Sequence, residues 1–294
     1  MKANRSTSFG KAENKPFRAR KSLGQHFLMH PSIAERIADA ASISTLDTVL
    51  EIGPGTGMLT KSLLARAKKV IAIETDAELV ETLQARFVDE IKNRRLTLIH
   101  GDIRDIRDIR DTYLSLTVGN NKYYRVVANI PYYLTGEILR MFLSAQQKPR
   151  SMTLLVQKEV AERIVARKSA RGGSASGGKE SILSVAVKTY GAPKYHFTVP
   201  RGAFIPPPKV DSAVLSIENI SSDAFASPRE EKWFFDVVHA GFAHKRKKLL
   251  GNLGIIAGRD RAERALGTAG VSSDARAEDV PPFAWRALAK ALSK

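Results

Sequence analysis

The chain has 294 residues, 43% of them hydrophobic, and its 47 Lys and Arg against 30 Asp and Glu give a formal net charge of +17. That length and apolar content fill one sizeable core plus a smaller second domain, which excludes a disordered or fibrous chain, and no run reaches the roughly 18 apolar residues that span a bilayer. Cysteine is absent, which excludes thiolate zinc sites, iron–sulfur clusters, disulfides and a cysteine nucleophile, so any group transfer must be direct.

Residues 1–21 carry seven Lys or Arg and one acid, Glu13, and read as a mobile basic arm. A mitochondrial transit peptide is the competing reading, but Phe9 and Phe17 alone make no apolar helical face. No apolar leader opens the chain, so a soluble, unexported, cytoplasmic protein is expected, without a membrane partner. From Thr48 onward short apolar runs alternate with helical periods, the signature of a parallel sheet covered on both faces. Strands are predicted over Thr48–Ile52, Val70–Glu74, Leu96–His100, Arg125–Ala128 and Met152–Gln157, with helices such as Ala77–Phe87 and Gly136–Leu143 between them. Arg171–Gly178, rich in Gly and Ser, reads as a flexible loop or a lid. After Glu218 the pattern turns helical through Trp233–Ala243, Asp260–Leu266 and Pro282–Leu292, which sets domains over 22–218 and 219–294 behind the arm.

The first chemical signal is Glu51-Ile-Gly-Pro-Gly-Thr-Gly57, between a strand and a helix. Glycines at 53, 55 and 57 let the backbone turn sharply and approach a ligand. Met58 stands where a dinucleotide fingerprint needs glycine, and no Gly-Lys-Ser/Thr follows, so neither a pyrophosphate turn nor a P-loop fits. The tighter turn suits a nucleoside carrying an amino-acid tail. Glu74 ends the next strand, 21 residues after Gly53, the place from which a carboxylate accepts both hydroxyls of a ribose. Asp102, after Gly101, closes the third strand at the same edge and is placed to accept from an adenine amine, or simply to cap a helix.

Asn129-Ile-Pro-Tyr132 follows the fourth strand. The exocyclic nitrogen of adenine is a poor nucleophile because its lone pair is delocalised into the ring. An amide oxygen from Asn129 and a neighbouring main-chain carbonyl, accepting its N–H groups, favour a pyramidal amine aimed at a methyl donor. Pro131 holds that carbonyl by restricting Ile130, and Tyr132 offers a face for an unstacked base. Phe204-Ile-Pro-Pro-Pro-Lys-Val-Asp-Ser212 is stiffened by three prolines and is expected to present Phe204 as a second stacking surface, so that the two rings sandwich the base. Lys245-Arg-Lys-Lys248 reads either as a solvated face or, in so basic a chain, as a contact for RNA phosphates through Lys245, Arg246, Lys247 and Lys248.

Together with Lys21-Ser-Leu-Gly-Gln-His-Phe-Leu28, these motifs stand in the order seen in the small-subunit rRNA adenine dimethyltransferases, which the chain closely resembles over roughly residues 18–290. The resemblance implies a Rossmann-like class I methyltransferase domain with a small helical C-terminal domain, S-adenosylmethionine as methyl donor and no metal. It further implies transfer of two methyls to each of two adjacent adenosines near the 3′ end of small-subunit rRNA, within a pre-ribosomal 30S particle, by what is expected to be a monomer. By position it assigns cofactor contacts to His26, Leu28, Gly53, Glu74, Asp102 and Asn129, and the target-base site to Asn129, Tyr132 and Phe204. His26 is a departure, because the motif it matches carries Asn. Two alternatives stay open: the related large-subunit enzymes of macrolide resistance, against which the longer helical region after Glu218 argues, and a non-catalytic RNA-binding factor on the same scaffold, against which Gly53, Glu74 and Asn129 argue.

Overall fold

A computed structural model describes residues 24–105, 124–165 and 179–293; the basic arm and the Arg171–Gly178 stretch lie outside the described residues. A seven-stranded sheet runs in the order β4-β3-β2-β5-β6-β9-β7. Its strands are β2 (Thr48–Ile52), β3 (Lys69–Glu74), β4 (Leu96–His100), β5 (Tyr124–Asn129), β6 (Ser151–Gln157), β7 (Ala192–Val199) and β9 (Ser212–Glu218). β2 to β6 pair in parallel, while β9 pairs antiparallel with both β6 and β7. A separate two-stranded ribbon joins β1 (Phe27–Leu28) to β8 (Phe204–Ile205), with Phe27 opposite Ile205 and Leu28 opposite Phe204.

The parallel pairs follow from the helices inserted between strands, because each crossover returns the chain to the same end of the sheet. These are α2 (Met58–Leu64), α3 (Ala77–Arg86), α4 (Val88–Lys92) and α5 (Thr135–Leu143), preceded by α1 (Pro31–Ala40) and followed by α6 (Lys158–Val165) and α7 (Ile182–Tyr190). Every residue of β2 is buried. Its successive side chains alternate between two cores: Val49, with Val70, Ala72 and Val127, packs toward α1 and α2, and Leu50 and Ile52, with Ile71, Ile73 and Val126, pack toward α5. That period of two, with apolar residues in both phases, is why the strand reads as a continuous apolar run.

The C-terminal helices are α8 (Pro228–Phe242), α9 (Leu249–Ala257), α10 (Arg259–Thr268) and α11 (Pro282–Ala291). Ser227 caps α8 by accepting from the Glu230 N–H, and Pro228 occupies the first turn, where a missing donor costs nothing. Trp285, fully buried, stacks on Phe242 at 5.4 Å, the centre of a third apolar cluster that also takes in Val185 of α7. α7 thus belongs to both cores, since its Val187 and Tyr190 face the sheet. Two expectations need correction. α8 begins at Pro228, five residues before Trp233, and α9 was not expected at all: its two glycines, Gly251 and Gly254, and its lack of a polar face hide the helical period.

Candidate active site

The strand order turns at β2, whose neighbours are β3 on one side and β5 on the other. In open α/β sheets the crevice outside the carboxyl ends of such strands is where ligands bind. The registers Ile52↔Ile73, Ile52↔Ala128 and Glu74↔His100 bring Gly53, Glu74, Gly101-Asp102 and Asn129 to one edge. All of them line a single cleft, with His26, Leu28 and Tyr132. The residues predicted from the turn and strand ends are therefore brought together.

The glycine turn is built as its spacing requires. Gly53, Gly55 and Gly57 take φ of +67°, +58° and +78°, a region L side chains rarely enter. Gly57 has a second constraint, because a Cβ there would lie 2.6 Å from the Phe87 ring and 2.8 Å from Leu83. In front of Gly53, by contrast, the nearest atom a Cβ would meet is the Asn129 carbonyl oxygen at 3.8 Å, which leaves an open cradle beside the strand end.

Three carboxylates reach this cleft in different states. Glu74 is 4% exposed and accepts from the main-chain N–H groups of Gly55 (3.0 Å), Thr75 (2.9 Å) and Asp76 (3.0 Å). It therefore braces the glycine turn as well as facing the cleft. Burial still holds its carboxyl above the ordinary value, with those three donors opposing. Asp102 is clasped by Arg104 (Nε to Oδ1 3.0 Å, Nη2 to Oδ2 2.6 Å) and also accepts from the Arg104 N–H at 2.9 Å. The Arg104 hydrogen bonds hold it below the usual carboxylate range. Glu51 is the third: 1% exposed, and neither oxygen has a hydrogen-bond partner among the described residues. Burial pushes its carboxyl up to about 8; the Thr60 hydroxyl, close by but without a closed hydrogen bond, opposes this and the Glu74 charge adds to it.

At the other wall, the Asn129 amide nitrogen donates to the His26 carbonyl at 3.1 Å, so Oδ1 is the atom left to accept. Pro131 at φ −54° leads into a short 3-10 turn over Tyr132–Leu134, and its own carbonyl accepts from the Leu134 N–H at 3.0 Å. Tyr132 is held at both ends. Its ring stacks on His26 at 5.8 Å and 26°, and its hydroxyl lies 2.6 Å from the Ser212 hydroxyl. Burial raises its phenol above the ordinary value.

Phe204 departs from expectation. Its ring is 2% exposed and packs with Leu28, Val127 and Val214 in the core on the α1 side of the sheet, and it does not line the cleft. The alternation of β8 is the reason: with Phe204 turned inward, the exposed residue is Ile205, at 57%. The proline-rich segment meets the cleft through the Pro206 carbonyl, which the His26 ring contacts at 2.7 Å, and through Ser212. Sequence reasoning missed those two contacts, together with Arg104 and Glu51. Only Glu51 had a signal, as an acid inside an otherwise apolar buried strand. Lys245–Lys248 form the exposed turn between α8 and α9, remote from the strand ends in the chain. Lys248 pairs with Asp274 at 2.5 Å, whereas Lys245, Arg246 and Lys247 make no ion pair among the described residues.

The doubly covered sheet, its order and the cleft at its turning point define a class I, S-adenosylmethionine-dependent methyltransferase with a helical C-terminal domain. Among solved structures the chain is similar to the 23S rRNA methyltransferase ErmE, with a TM-score of 0.69 and 26% identity over 90% of this chain and 99% of that one. It is similar also to a dimethyladenosine transferase from Plasmodium falciparum, with a TM-score of 0.67 and 25% identity over 90% of this chain and 96% of that one. The chain belongs to the Ribosomal RNA adenine dimethylase family, which it matches over residues 16–294. It is 39% identical, over 94% of its own length and 89% of the relative's, to the ribosomal RNA small subunit methyltransferase A of Dehalococcoides mccartyi. The helical region does not by itself separate it from large-subunit enzymes, since the likeness to ErmE spans 90% of the chain.

Proposed function

We propose that this chain dimethylates the N6 amino groups of two adjacent adenosines near the 3′ end of small-subunit rRNA, acting as a cytoplasmic monomer on a pre-ribosomal 30S particle. The observation that carries this reading is the fixed amide of Asn129. With its nitrogen committed to the His26 carbonyl, Oδ1 is preset to accept an amine N–H at the rim of a cleft that also holds the Gly53 cradle. S-adenosylmethionine fits that cleft: Gly53 leaves room, Glu74 and Asp102 offer acceptors, and Leu28 and Ile103 supply apolar walls.

When bound, the cofactor supplies a methyl group on a sulfonium. The chain's part is to hold it, through the main chain of His26 and through Leu28, Gly53, Glu74, Asp102 and Asn129, and to shape the acceptor. Asn129 Oδ1 and the Ile130 carbonyl take the two N–H groups of the target amine, which turns its lone pair out of the ring plane. The Pro131 carbonyl is already used by Leu134. Tyr132 provides the face on which the unstacked base rests, and the methylated ammonium is acidic enough to lose its proton without a strong base. Residues 22–218 would form the catalytic domain and 219–294 the RNA-binding one, with Lys245, Arg246 and Lys247 and the arm of residues 1–21 on phosphates, positioning the RNA without specifying the base, while Lys248 is held by Asp274.

The test is methylation of precursor small- and large-subunit particles followed by nucleoside analysis. Dimethyladenosine in small-subunit RNA alone is expected. Product in large-subunit RNA alone, or none in either, overturns the reading.

A further inference from the structure

The cleft residue whose contacts the cofactor role does not explain is His26. A carbonyl oxygen can only accept, so the 2.7 Å contact with Pro206 fixes the proton on Nδ1, which donates to it. The ring face lies on Tyr132 at 5.8 Å and 26°. The carbonyl of the same residue takes the Asn129 amide nitrogen at 3.1 Å. One residue thus touches the end of β5, the turn after it and the proline-rich segment once each. The surrounding chain is laid out to hold it there. β1 pairs with β8 immediately after it, and a Cβ on Gly24 would meet the Tyr133 ring at 3.1 Å, so the segment runs close along Pro131–Tyr133. Tyr132 reaches the same proline-rich segment through Ser212.

We infer that the His26 side chain is a positioning residue for the target base: its Nδ1–H anchors the segment to Pro206, which sets the carbonyl that orients the Asn129 amide, and its ring fixes the plane of Tyr132. This rests on the methyl-transfer reading above. It differs from a cofactor contact in what it controls. A cofactor contact sets the affinity for the methyl donor, whereas a brace behind Asn129 and Tyr132 sets the geometry of the acceptor and therefore turnover. The two components are also separable by chemistry. Phe in place of His keeps a ring over Tyr132 and loses the donor to Pro206; Asn places an amide nitrogen near the position of Nδ1 and loses the ring.

The experiment measures kcat on small-subunit particles and the cofactor Kd by calorimetry for wild type, His26→Phe, His26→Asn and His26→Ala, with melting temperatures to show that each folds. A hydrogen bond and a stacked pair are each worth on the order of 1 kcal/mol, or about fivefold. The Phe and Asn variants should each lose about fivefold in kcat and the Ala variant roughly 25-fold, with Kd changed less than about twofold in all three. Unchanged kcat, or a tenfold weaker Kd at normal kcat, overturns the inference and returns His26 to the cofactor wall. Failure of the wild type itself to bind cofactor or methylate particles would instead sink the reading on which it rests.

Discussion

Glu51 and Glu74 lie on adjoining parallel strands, line the same cleft and are almost equally buried, yet among the described residues Glu74 accepts three main-chain N–H groups and Glu51 accepts none. A buried carboxyl without donors avoids the cost of an unpaired charge by holding its proton. Glu74 strengthens that tendency, because a second negative charge nearby is unfavourable. The cleft therefore combines a partnered acid with one that is neutral near pH 7.

This difference predicts a pH-dependent stability. The folded-state value for Glu51 is raised from 4.5 to about 8, so between those values the native state binds a proton that the unfolded chain has released. Its contribution is complete below about pH 4.5 and is lost as the pH rises toward 8, at no more than about 1.4 kcal/mol per pH unit. Glu51→Gln removes this dependence. Urea midpoints for the ligand-free protein at pH 5, 7 and 9 should fall less steeply in the variant than in the wild type; parallel curves would mean that Glu51 ionises normally.

Asn129→Ala removes the amide whose nitrogen is held by His26 and whose oxygen faces the acceptor. The loss falls mainly on the transition state, so kcat should drop by about 10²–10³, as when a single positioned polar partner is removed from other active sites. Affinity for the RNA should remain within about twofold, because phosphate contacts dominate it. Single-turnover methylation and filter binding separate the two quantities, and a variant that turns over normally would remove Asn129 from the chemistry.

How far the sequence carried depended on whether a signal was local. The strand ends were legible because each of Gly53, Glu74, Asp102 and Asn129 follows its own apolar run, and parallel strands must deliver their ends to one edge. The proline-rich segment showed the opposite limit. Its stiffness was readable, but which of Phe204 and Ile205 points inward depends on pairing with Phe27–Leu28, about 180 residues away, and a shift of one residue exchanges the faces. α9 escaped for a third reason: a helix apolar on nearly every side shows no periodicity until its neighbours are known.

Gly57→Ala tests how rigid the turn must be. The substitution forces an L side chain into φ +78° and drives its Cβ to 2.6 Å from the Phe87 ring, adding about 1–2 kcal/mol of backbone strain to about 1–3 kcal/mol of overpacking. A loss of roughly 2–5 kcal/mol in unfolding free energy is expected, with weaker cofactor uptake at temperatures where the variant is folded. A change below about 0.5 kcal/mol would show that α3 moves away at little cost.

The basic turn between α8 and α9 gives the last prediction, because its four cations are not equivalent. Lys248 is paired with Asp274, while Lys245, Arg246 and Lys247 are exposed and make no ion pair among the described residues. If those three lie on RNA phosphates, each contact releases counterions, and the slope of log K against log salt changes by about 0.7–0.9 per phosphate. The triple change Lys245→Ala, Arg246→Ala, Lys247→Ala should therefore flatten the slope by about 2–3 and weaken binding to small-subunit RNA at low salt. It should leave kcat at saturating RNA nearly unchanged, since the turn is outside the cleft. Lys248→Ala alone should do little, because it exchanges a surface pair worth at most about 1 kcal/mol for a free Asp274. An unaltered slope in the triple variant would make the turn a solvated surface and move the RNA contacts elsewhere on the chain.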